Sequence, residues 1–213
     1  MTSENSYRRD LKEKVVFYAS QAFRRDGIRR VTMDAIAAAL GISKRTLYEI
    51  FNDKESLLIA VILRSEEEDR KFTEEIIRES GNVMEIILRY LMESVKYLQD
   101  TNRQVFVDMK KYPKAYALRN EIKRRKDAKN IEMYRRGVDE GVFRNDVNFE
   151  ILTLLVNEQF DLLLHTDVCN EYSFVEVFES ISFTFIRGIA TEKGARMMEE
   201  YLTEYRAYNG AAV

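Results

Sequence analysis

The sequence predicts an all-α protein built from long helices. Its 213 residues include only one proline and eight glycines, so few positions interrupt a helix. Apolar residues recur three and four positions apart through most of the chain, which is the periodicity of a helix with one buried face. With 46% hydrophobic and 33% charged residues, the composition is that of a globular protein.

Residues 32–58 predict two short helices, a tight turn between them and the start of a third helix. Thr32 has a suitable side chain for the N-cap of the first helix, and Ser43 for that of the second. Gly41 can adopt the left-handed conformation that ends a helix. The apolar positions of the first helix share one face: Ile36, Ala37 and Leu40. An ordinary helical hairpin has the same pattern, so the pattern alone leaves both interpretations open.

The second short helix carries basic and hydroxyl side chains near its beginning, Lys44, Arg45, Thr46 and Tyr48. Its inner face is formed by Leu47, Ile50 and Phe51. A helix fits the major groove of DNA, and the side chains at its N-terminal end can then reach base edges. This segment therefore predicts a helix-turn-helix that binds DNA, followed by a helix capped by Asn52 or Asp53.

Taken together, these residues resemble the DNA-binding domain of TetR-type (tetracycline-repressor-like) transcriptional regulators. The resemblance covers about the first quarter of the chain. It begins with the apolar helix that contains Val15, Ala19, Ala22 and Phe23 and ends at Leu57-Leu58. Between these limits it includes Gly27, Val31-Thr32, Ile36-Ala37, Leu40-Gly41-Ile42-Ser43, Thr46-Leu47-Tyr48, Phe51 and Lys54-Glu55.

The resemblance implies a set of DNA-binding residues: Thr32, Ser43, Lys44, Arg45, Thr46, Tyr48 and Lys54. Thr32, Tyr48 and Lys54 are expected to contact phosphates, and Lys44, Arg45 and Thr46 to face bases or the adjacent backbone. Many relatives have glycine at the position of Arg45. This arginine could pair with a guanine or hold a phosphate, and the sequence does not decide between these contacts.

The charge is distributed unevenly. Residues 1–56 contain 11 basic and 8 acidic side chains, a net charge of +3, whereas residues 57–213 contain 23 basic and 28 acidic, a net charge of −5. A basic DNA-binding part on an acidic body fits this asymmetry. We therefore predict a three-helix DNA-binding domain at residues 1–56 and a larger helical domain for ligand binding and dimerisation at residues 57–213.

Helical periodicity continues beyond the helix-turn-helix, with helices predicted at about 53–80, 83–99, 103–110, 116–140, 149–165, 174–190 and 195–208. The helices at 149–165 and 174–190 are apolar on more than one side, so each needs a second packing partner. A second copy of the chain is the simplest partner. The resemblance likewise implies a four-helix dimer interface, for which we predict Leu155, Leu162, Phe178, Ile181 and Phe185.

The middle helices are rich in methionine and aromatic residues. Such side chains line adaptable pockets, although ordinary core packing accounts for each of them individually. The resemblance implies a pocket between these helices and the helix at 53–80, for a small apolar or amphipathic ligand. The residues predicted to line it are Phe106, Met109, Tyr112, Tyr134 and Phe160.

Three titratable residues, Glu158, Asp161 and His165, share one face of the helix at 149–165. A helical di-metal centre needs histidines from two helices, and His165 is the sole histidine. We therefore interpret the three residues as structural or interface contacts, with a ligand-facing role as the alternative. We predict no metal and no cofactor. The single cysteine, Cys169, fits a reducing cytoplasm, and no apolar run suggests a signal peptide or a membrane span.

These features favour a ligand-responsive transcriptional regulator, and more specifically a repressor. It would bind a near-palindromic operator of double-stranded DNA as a homodimer and leave it when a small ligand binds. The alternatives are a DNA-binding regulator without a ligand and an enzyme on a helical bundle. Nothing favours an enzyme, because the chain has no phosphate-binding glycine loop and no nucleophile elbow.

Overall fold

The computed structural model describes residues 3–163 and 168–209, with side chains for 6–161, 168–169 and 171–205. The described residues form eleven α-helices and one isolated antiparallel bridge between Phe143 and Ala190. The helices are α1 (Ser3–Asp26), α2 (Met33–Ala39), α3 (Lys44–Ile50), α4 (Lys54–Glu79), α5 (Val83–Gln99), α6 (Gln104–Met109), α7 (Pro113–Asp139), α8 (Phe149–Leu163), α9 (Val168–Glu171), α10 (Phe174–Ile189) and α11 (Glu192–Asn209). None of the helices described here is both long and apolar enough to cross a membrane.

The prediction of an all-α fold is confirmed, and the observed bounds of α4, α5 and α10 agree with the predicted helices to within one residue at each end. The predicted start of α7 at residue 116 is wrong. The helix begins at Pro113. Proline is tolerated at the first helical position because the N–H that it lacks would have no hydrogen-bond partner within the helix. α11 starts at Glu192 rather than at 195, since the Thr191 hydroxyl caps it by accepting from the Gly194 amide at 3.1 Å. α9 was not predicted, because four residues show no periodicity.

The first of two compact units comprises the chain up to residue 70 together with residues 100–123. Its apolar core joins α1, the helix-turn-helix and the first half of α4. Side chains with no measurable exposure in this core are Val15, Ala19, Ile28, Ile36, Leu47, Leu57 and Ala115. This unit extends beyond residues 1–56, because α6 and the start of α7 pack into the same core through Met109 and Ala115. The functional boundary at residue 56 stays a prediction.

The second unit comprises residues 71–99 and the chain from residue 124 onward. In it α5 packs against α10 and α11, and α8 packs against α10. The most buried side chains of its core are Val83, Met84, Leu88, Val142, Phe143, Ile189 and Met198. Half-buried aromatic residues surround this core, among them Tyr134, Phe178 and Phe185.

Candidate DNA-binding site

Local capping defines the two short helices of the helix-turn-helix. The Thr32 hydroxyl accepts a hydrogen bond from the Ala35 amide at 3.1 Å, and the Ser43 hydroxyl accepts from the Thr46 amide at 3.0 Å. Gly41, with φ of +64°, provides the left-handed residue between the helices. The predicted caps are therefore confirmed. These bonds stabilise helices of only seven residues, for which unpaired terminal amides matter most.

α3 presents one apolar face to the core and one polar face to solvent. Leu47 is fully buried, and Phe51 directly after the helix is also buried. On the opposite side the Arg45 side chain is 89% exposed, and Tyr48 is 46% exposed although it is aromatic. The first turn of α3 therefore offers a cation, a hydroxyl and an aromatic ring to a partner outside the protein.

Both cations of this turn are paired with carboxylates. The Lys44 ammonium donates to the Asp34 carboxylate of α2, and the hydrogen bond and negative charge of Asp34 raise the pKa of Lys44. Arg45 Nε donates to Glu49 Oε1 at 2.9 Å, one turn further along α3. Because both pairs are exposed, each contributes little to stability. A DNA phosphate or a base edge can compete with such carboxylates for the cation.

α1 holds the far end of α3. Arg8 Nη2 donates to the backbone carbonyl oxygen of Glu49 at 2.8 Å, and the Lys12 ammonium lies 5.7 Å from the centre of the Phe51 ring. A cation near the C-terminal end of a helix interacts favourably with its dipole and its unpaired carbonyls. The sequence pattern did not identify Arg8 as a residue that supports α3, because Arg8 and Glu49 lie 41 positions apart in the chain.

Lys54 differs from the other predicted DNA-binding residues, because its side chain points inward. Its ammonium lies 5.8 Å from the Phe23 ring centre and 5.9 Å from the Tyr112 ring centre, and it donates to the Arg29 carbonyl oxygen at 3.4 Å. Burial lowers the pKa of Lys54, while the charge of Asp108 opposes that shift. A phosphate contact by Lys54 requires a different side-chain orientation and stays a prediction.

Asp108 of α6 is a buried carboxylate that sequence analysis missed. It is 1% exposed, and its carboxylate accepts from the Arg29 amide at 2.7 Å and from Gln104 Nε2 at 3.2 Å. The Lys111 ammonium lies 3.7 Å from the same carboxylate. Asp108 thereby fixes the turn between α1 and α2 from a helix 79 residues away. No local motif marks such a residue.

The segment before α6 reinforces this attachment. The Asn102 amide donates to the Arg24 carbonyl oxygen at 2.8 Å, and Asn102 Nδ2 donates to the Arg25 carbonyl oxygen at 3.3 Å. Arg24 also forms a salt bridge with Asp100 at 2.9 Å. Because these contacts satisfy the last carbonyls of α1, residues 100–108 belong structurally to the first unit, which we call the DNA-binding unit because it contains the helix-turn-helix.

The five predicted ligand-binding residues are distributed over both compact units. Met109 and Tyr112 pack with the core of the first unit. Tyr134 packs in the second unit, where its ring centre lies 5.5 Å from that of Phe149, and Phe160 stacks on Phe178 at 5.1 Å. Phe106 is half-buried on α6. Their contact with a ligand stays a prediction.

The predicted dimer-interface residues have different degrees of exposure. Leu155 of α8 is 50% exposed, and Phe178, Ile181 and Phe185 of α10 are half-buried. The side chain of Leu162 lies outside the described residues, as does His165 of the predicted polar face. Exposed apolar side chains on α8 leave this face without a partner inside the described part of the chain.

Comparison with known proteins agrees with this geometry. Residues 18–61 match the family of bacterial regulatory proteins called the tetR family. The HTH-type transcriptional regulator YvaF of Bacillus subtilis is 26% identical, and the match covers 77% of this chain and 88% of that protein.

Two solved structures share the fold. A transcriptional regulator from Saccharomonospora viridis superposes with a TM-score of 0.71 at 19% identity, covering 86% of this chain and all of that chain. A TetR-family regulator from Agrobacterium tumefaciens gives the same TM-score and the same coverage at 12% identity. The described geometry of α2 and α3, the family match and these relatives lead to one conclusion. Residues 18–61 match the DNA-binding domain of the tetR family of bacterial regulatory proteins, and the chain shares its fold with solved transcriptional regulators.

Proposed function

We propose that this regulator is a cytoplasmic repressor that binds a near-palindromic operator as a homodimer. A small apolar or amphipathic molecule bound within residues 57–213 releases it from DNA. The observation that carries the DNA-binding part is the first turn of α3. There Lys44, Arg45 and Tyr48 are exposed, while the same helix buries Leu47 completely.

In this proposal the first turn of α3 enters the major groove. Lys44, Arg45 and Thr46 face base edges or the adjacent backbone, and Thr32, Tyr48 and Lys54 contact phosphates. Ser43 contributes by capping α3, which points the first turn outward, and by its hydrogen bond with the Thr46 hydroxyl at 2.8 Å.

The exposed face of α8 supports dimerisation. Ile151, Leu154 and Leu155 are 55%, 59% and 50% exposed and lie three and four positions apart, so they form one apolar stripe. A second copy of the chain can cover this stripe through a two-fold interface. A two-fold dimer presents two α3 helices, which need operator half-sites about 34–36 Å apart or a multiple of that distance.

One solved structure of the same fold supports a small-molecule ligand. The Saccharomonospora viridis regulator was crystallised in complex with choline. In our proposal, ligand binding changes operator affinity by a coupling free energy of about 1–3 kcal/mol, or roughly 5–150-fold. The helices α4 and α7 each contribute residues to both compact units. In our proposal, a change caused by the ligand is transmitted along these two helices to the helix-turn-helix.

The proposal is tested by fluorescence anisotropy on DNA from upstream of the protein's own gene, with titration of salt. The variants are Arg45→Ala and Tyr48→Phe, both of which change exposed side chains and should leave the fold intact. We expect sequence-selective binding that weakens in both variants and at higher salt.

The pattern of losses separates the two roles of Arg45. If it reads a base, Arg45→Ala costs about 1–3 kcal/mol and relaxes the preference at one base pair of each half-site. If it holds a phosphate, affinity falls equally on every sequence and the salt slope decreases by about one. Weak binding on every DNA sequence, unchanged in both variants, would contradict the proposed role of α3.

A further inference from the structure

Three polar side chains interrupt the apolar packing of α7 and α8 in the second unit. Asn157 Nδ2 of α8 donates to Asp127 Oδ2 of α7 at 2.9 Å, in a half-buried position. Thr153 lies one helical turn before Asn157 on the same face of α8. We call Asp127, Thr153 and Asn157 the polar layer.

Aromatic side chains lie on both sides of this layer along α8. On one side, the Tyr134 ring centre lies 5.5 Å from that of Phe149 and 5.6 Å from that of Phe185. On the other side, Phe160 and Phe178 stack with ring centres 5.1 Å apart. Phe149 lies one turn before Thr153, and Phe160 nearly one turn after Asn157, so the polar layer lies between two aromatic groups.

The Thr153 hydroxyl is the unusual atom of the layer. Its oxygen is buried and finds no hydrogen-bond partner among the residues that the structure describes. A threonine inside a helix ordinarily bonds to a carbonyl one turn earlier, and a buried polar atom without a partner is rare in folded proteins. A bound molecule that donates a hydrogen bond at this place would satisfy it.

The layer contains one carboxylate, that of Asp127, and the side-chain oxygens of Thr153 and Asn157. Asn157 donates one N–H of its side-chain amide to Asp127, and its side-chain oxygen is a hydrogen-bond acceptor. The aromatic faces carry partial negative charge. Burial, and then the negative charge of Asp127, raise the pKa of the Tyr134 hydroxyl, so the field of that carboxylate extends to the aromatic group. The complement of such a site is a positively charged hydrogen-bond donor with an apolar body.

We propose that the polar layer binds the protonated nitrogen of an organic amine whose hydrocarbon part packs against the two aromatic groups. The inference rests on the proposed function, in which residues 57–213 bind a small molecule, and it names the class of that molecule. The ammonium donates to Thr153 Oγ1 and to the Asn157 side-chain oxygen, with the Asp127 charge close by.

The test uses isothermal titration calorimetry on the full-length protein with three probes of one skeleton. 2-Phenylethylammonium, 2-phenylethanol and phenylacetate share the phenyl ring and differ in the charge of the head group. We expect the ammonium to bind about tenfold more tightly than the alcohol, and phenylacetate not to bind. Equal or tighter binding of the alcohol or the carboxylate would overturn the proposal, as would no binding of any probe.

Substitutions then assign the site to the polar layer. Thr153→Val removes the unpartnered hydroxyl and keeps the side-chain shape, so we expect an unchanged or higher Tm together with about tenfold weaker binding of 2-phenylethylammonium. Thr153→Ser should restore the binding. Asp127→Asn should bring the ammonium-to-alcohol ratio close to one. Glu158→Gln, at an exposed position of α8, is the matched control and should leave the ratio unchanged.

The outcome that contradicts a binding role for Thr153 is equally definite. A lower Tm in Thr153→Val with unchanged affinity for the ammonium would make Thr153 a structural residue and overturn the site. Since the calorimetry contains no DNA, its failure leaves operator binding intact. Failure of the operator experiment in turn leaves the calorimetry interpretable.

Discussion

The helix-turn-helix and the region around α7, α8 and α10 place their polar groups in opposite ways. Around α2 and α3 the polar side chains lie at helix ends or in solvent, and the interior holds apolar residues such as Ile36 and Leu47. Around α8 a polar layer lies between aromatic groups, and the apolar residues Leu154 and Leu155 are exposed. The first arrangement buries its apolar side chains within one chain and exposes its charged side chains to solvent. The second leaves an apolar face and a buried hydroxyl without partners among the described residues.

The largest expected difference is in stability. Leu47→Ala leaves a cavity at a fully buried position and should lower the free energy of unfolding by about 2–5 kcal/mol. Leu155→Ala, at a half-exposed position, should cost less than about 1 kcal/mol when the subunits are dissociated. Urea denaturation followed by circular dichroism at low protein concentration measures both. Equal losses in the free energy of unfolding would show that Leu47 and Leu155 do not differ in burial.

Asp108 tests whether the DNA-binding unit depends on α6. Asp108→Ala leaves the Arg29 amide without its acceptor, so we expect a loss of about 1–3 kcal/mol of stability and weaker operator binding. Asp100→Asn is the matched control, because it removes an exposed salt bridge with Arg24 and should cost under about 1 kcal/mol. Denaturation and anisotropy measure the two effects. Normal stability and operator affinity in Asp108→Ala would separate α6 from the DNA-binding unit.

Tyr134 tests the apolar environment of the second unit through pH. Burial raises the pKa of Tyr134 to about 12, above its ordinary value of 10.0. Between these pH values the folded protein keeps a proton that the unfolded chain has lost. The stability contributed by this tyrosine is thus complete below pH 10 and is lost as pH rises toward 12, by up to about 1.4 kcal/mol per pH unit.

Tyr134→Phe should therefore make the stability less dependent on pH in this range. Ultraviolet absorbance at the tyrosinate band follows the deprotonation of the tyrosines. The wild type should contain one tyrosine that loses its proton only well above pH 10, and the variant should lack it. The control is Tyr172→Phe, at a position where the tyrosine is 57% exposed. Identical alkaline stability curves for wild type and Tyr134→Phe would contradict the buried environment.

Glu49 tests whether the exposed ion pairs of α3 limit DNA binding. Glu49→Gln removes the carboxylate that holds Arg45 and that repels phosphate, so operator affinity should rise roughly two- to tenfold at low salt. Glu93→Gln, an exposed glutamate of α5 that pairs with Lys96, is the control and should have no effect. Anisotropy at two salt concentrations measures both. A lower affinity in Glu49→Gln would mean that the pair orients Arg45 for binding.

Lys54 has the smallest expected effect on stability, and its direction is informative. Because burial lowers its pKa, the ammonium is disfavoured in the folded state, and this penalty disappears as pH rises toward 10.5. Lys54→Met should therefore raise Tm slightly at pH 7, and the gain should vanish above pH 10.5. If Lys54 turns outward to a phosphate, the same variant weakens operator binding. Unchanged affinity would rule out that contact.

Local patterns predicted what depends on local contacts. Thr32, Gly41 and Ser43 set the ends of α2 and α3, and Asp53 caps α4 by accepting from the Ser56 amide at 2.6 Å. Such bonds join residues three positions apart, so the sequence contains their full cause. The same holds for the apolar face that buries Leu47.

Contacts between distant segments could not be predicted in this way. The position of Asp108 beside the Arg29 amide depends on how α6 packs on α1, and no pattern around residue 108 encodes it. The predicted ligand-binding residues were divided between two units for the same reason, since aromatic periodicity does not say which helices meet. The resemblance to a family predicted a set of DNA-binding residues but not the carboxylates that pair with Lys44 and Arg45 in the structure.

The most direct test of the central claim is selection of binding sequences from a randomised DNA pool by wild type and by Arg45→Ala. If α3 reads DNA in a two-fold dimer, the wild type should enrich a near-palindrome with half-site centres about 34–36 Å apart or a multiple of that distance. Arg45→Ala should select either a motif that is relaxed at one position of each half-site or the same motif at lower affinity. No enriched motif, or an asymmetric motif that is recovered equally well by the variant, would contradict the assignment of α3 as the DNA-reading helix.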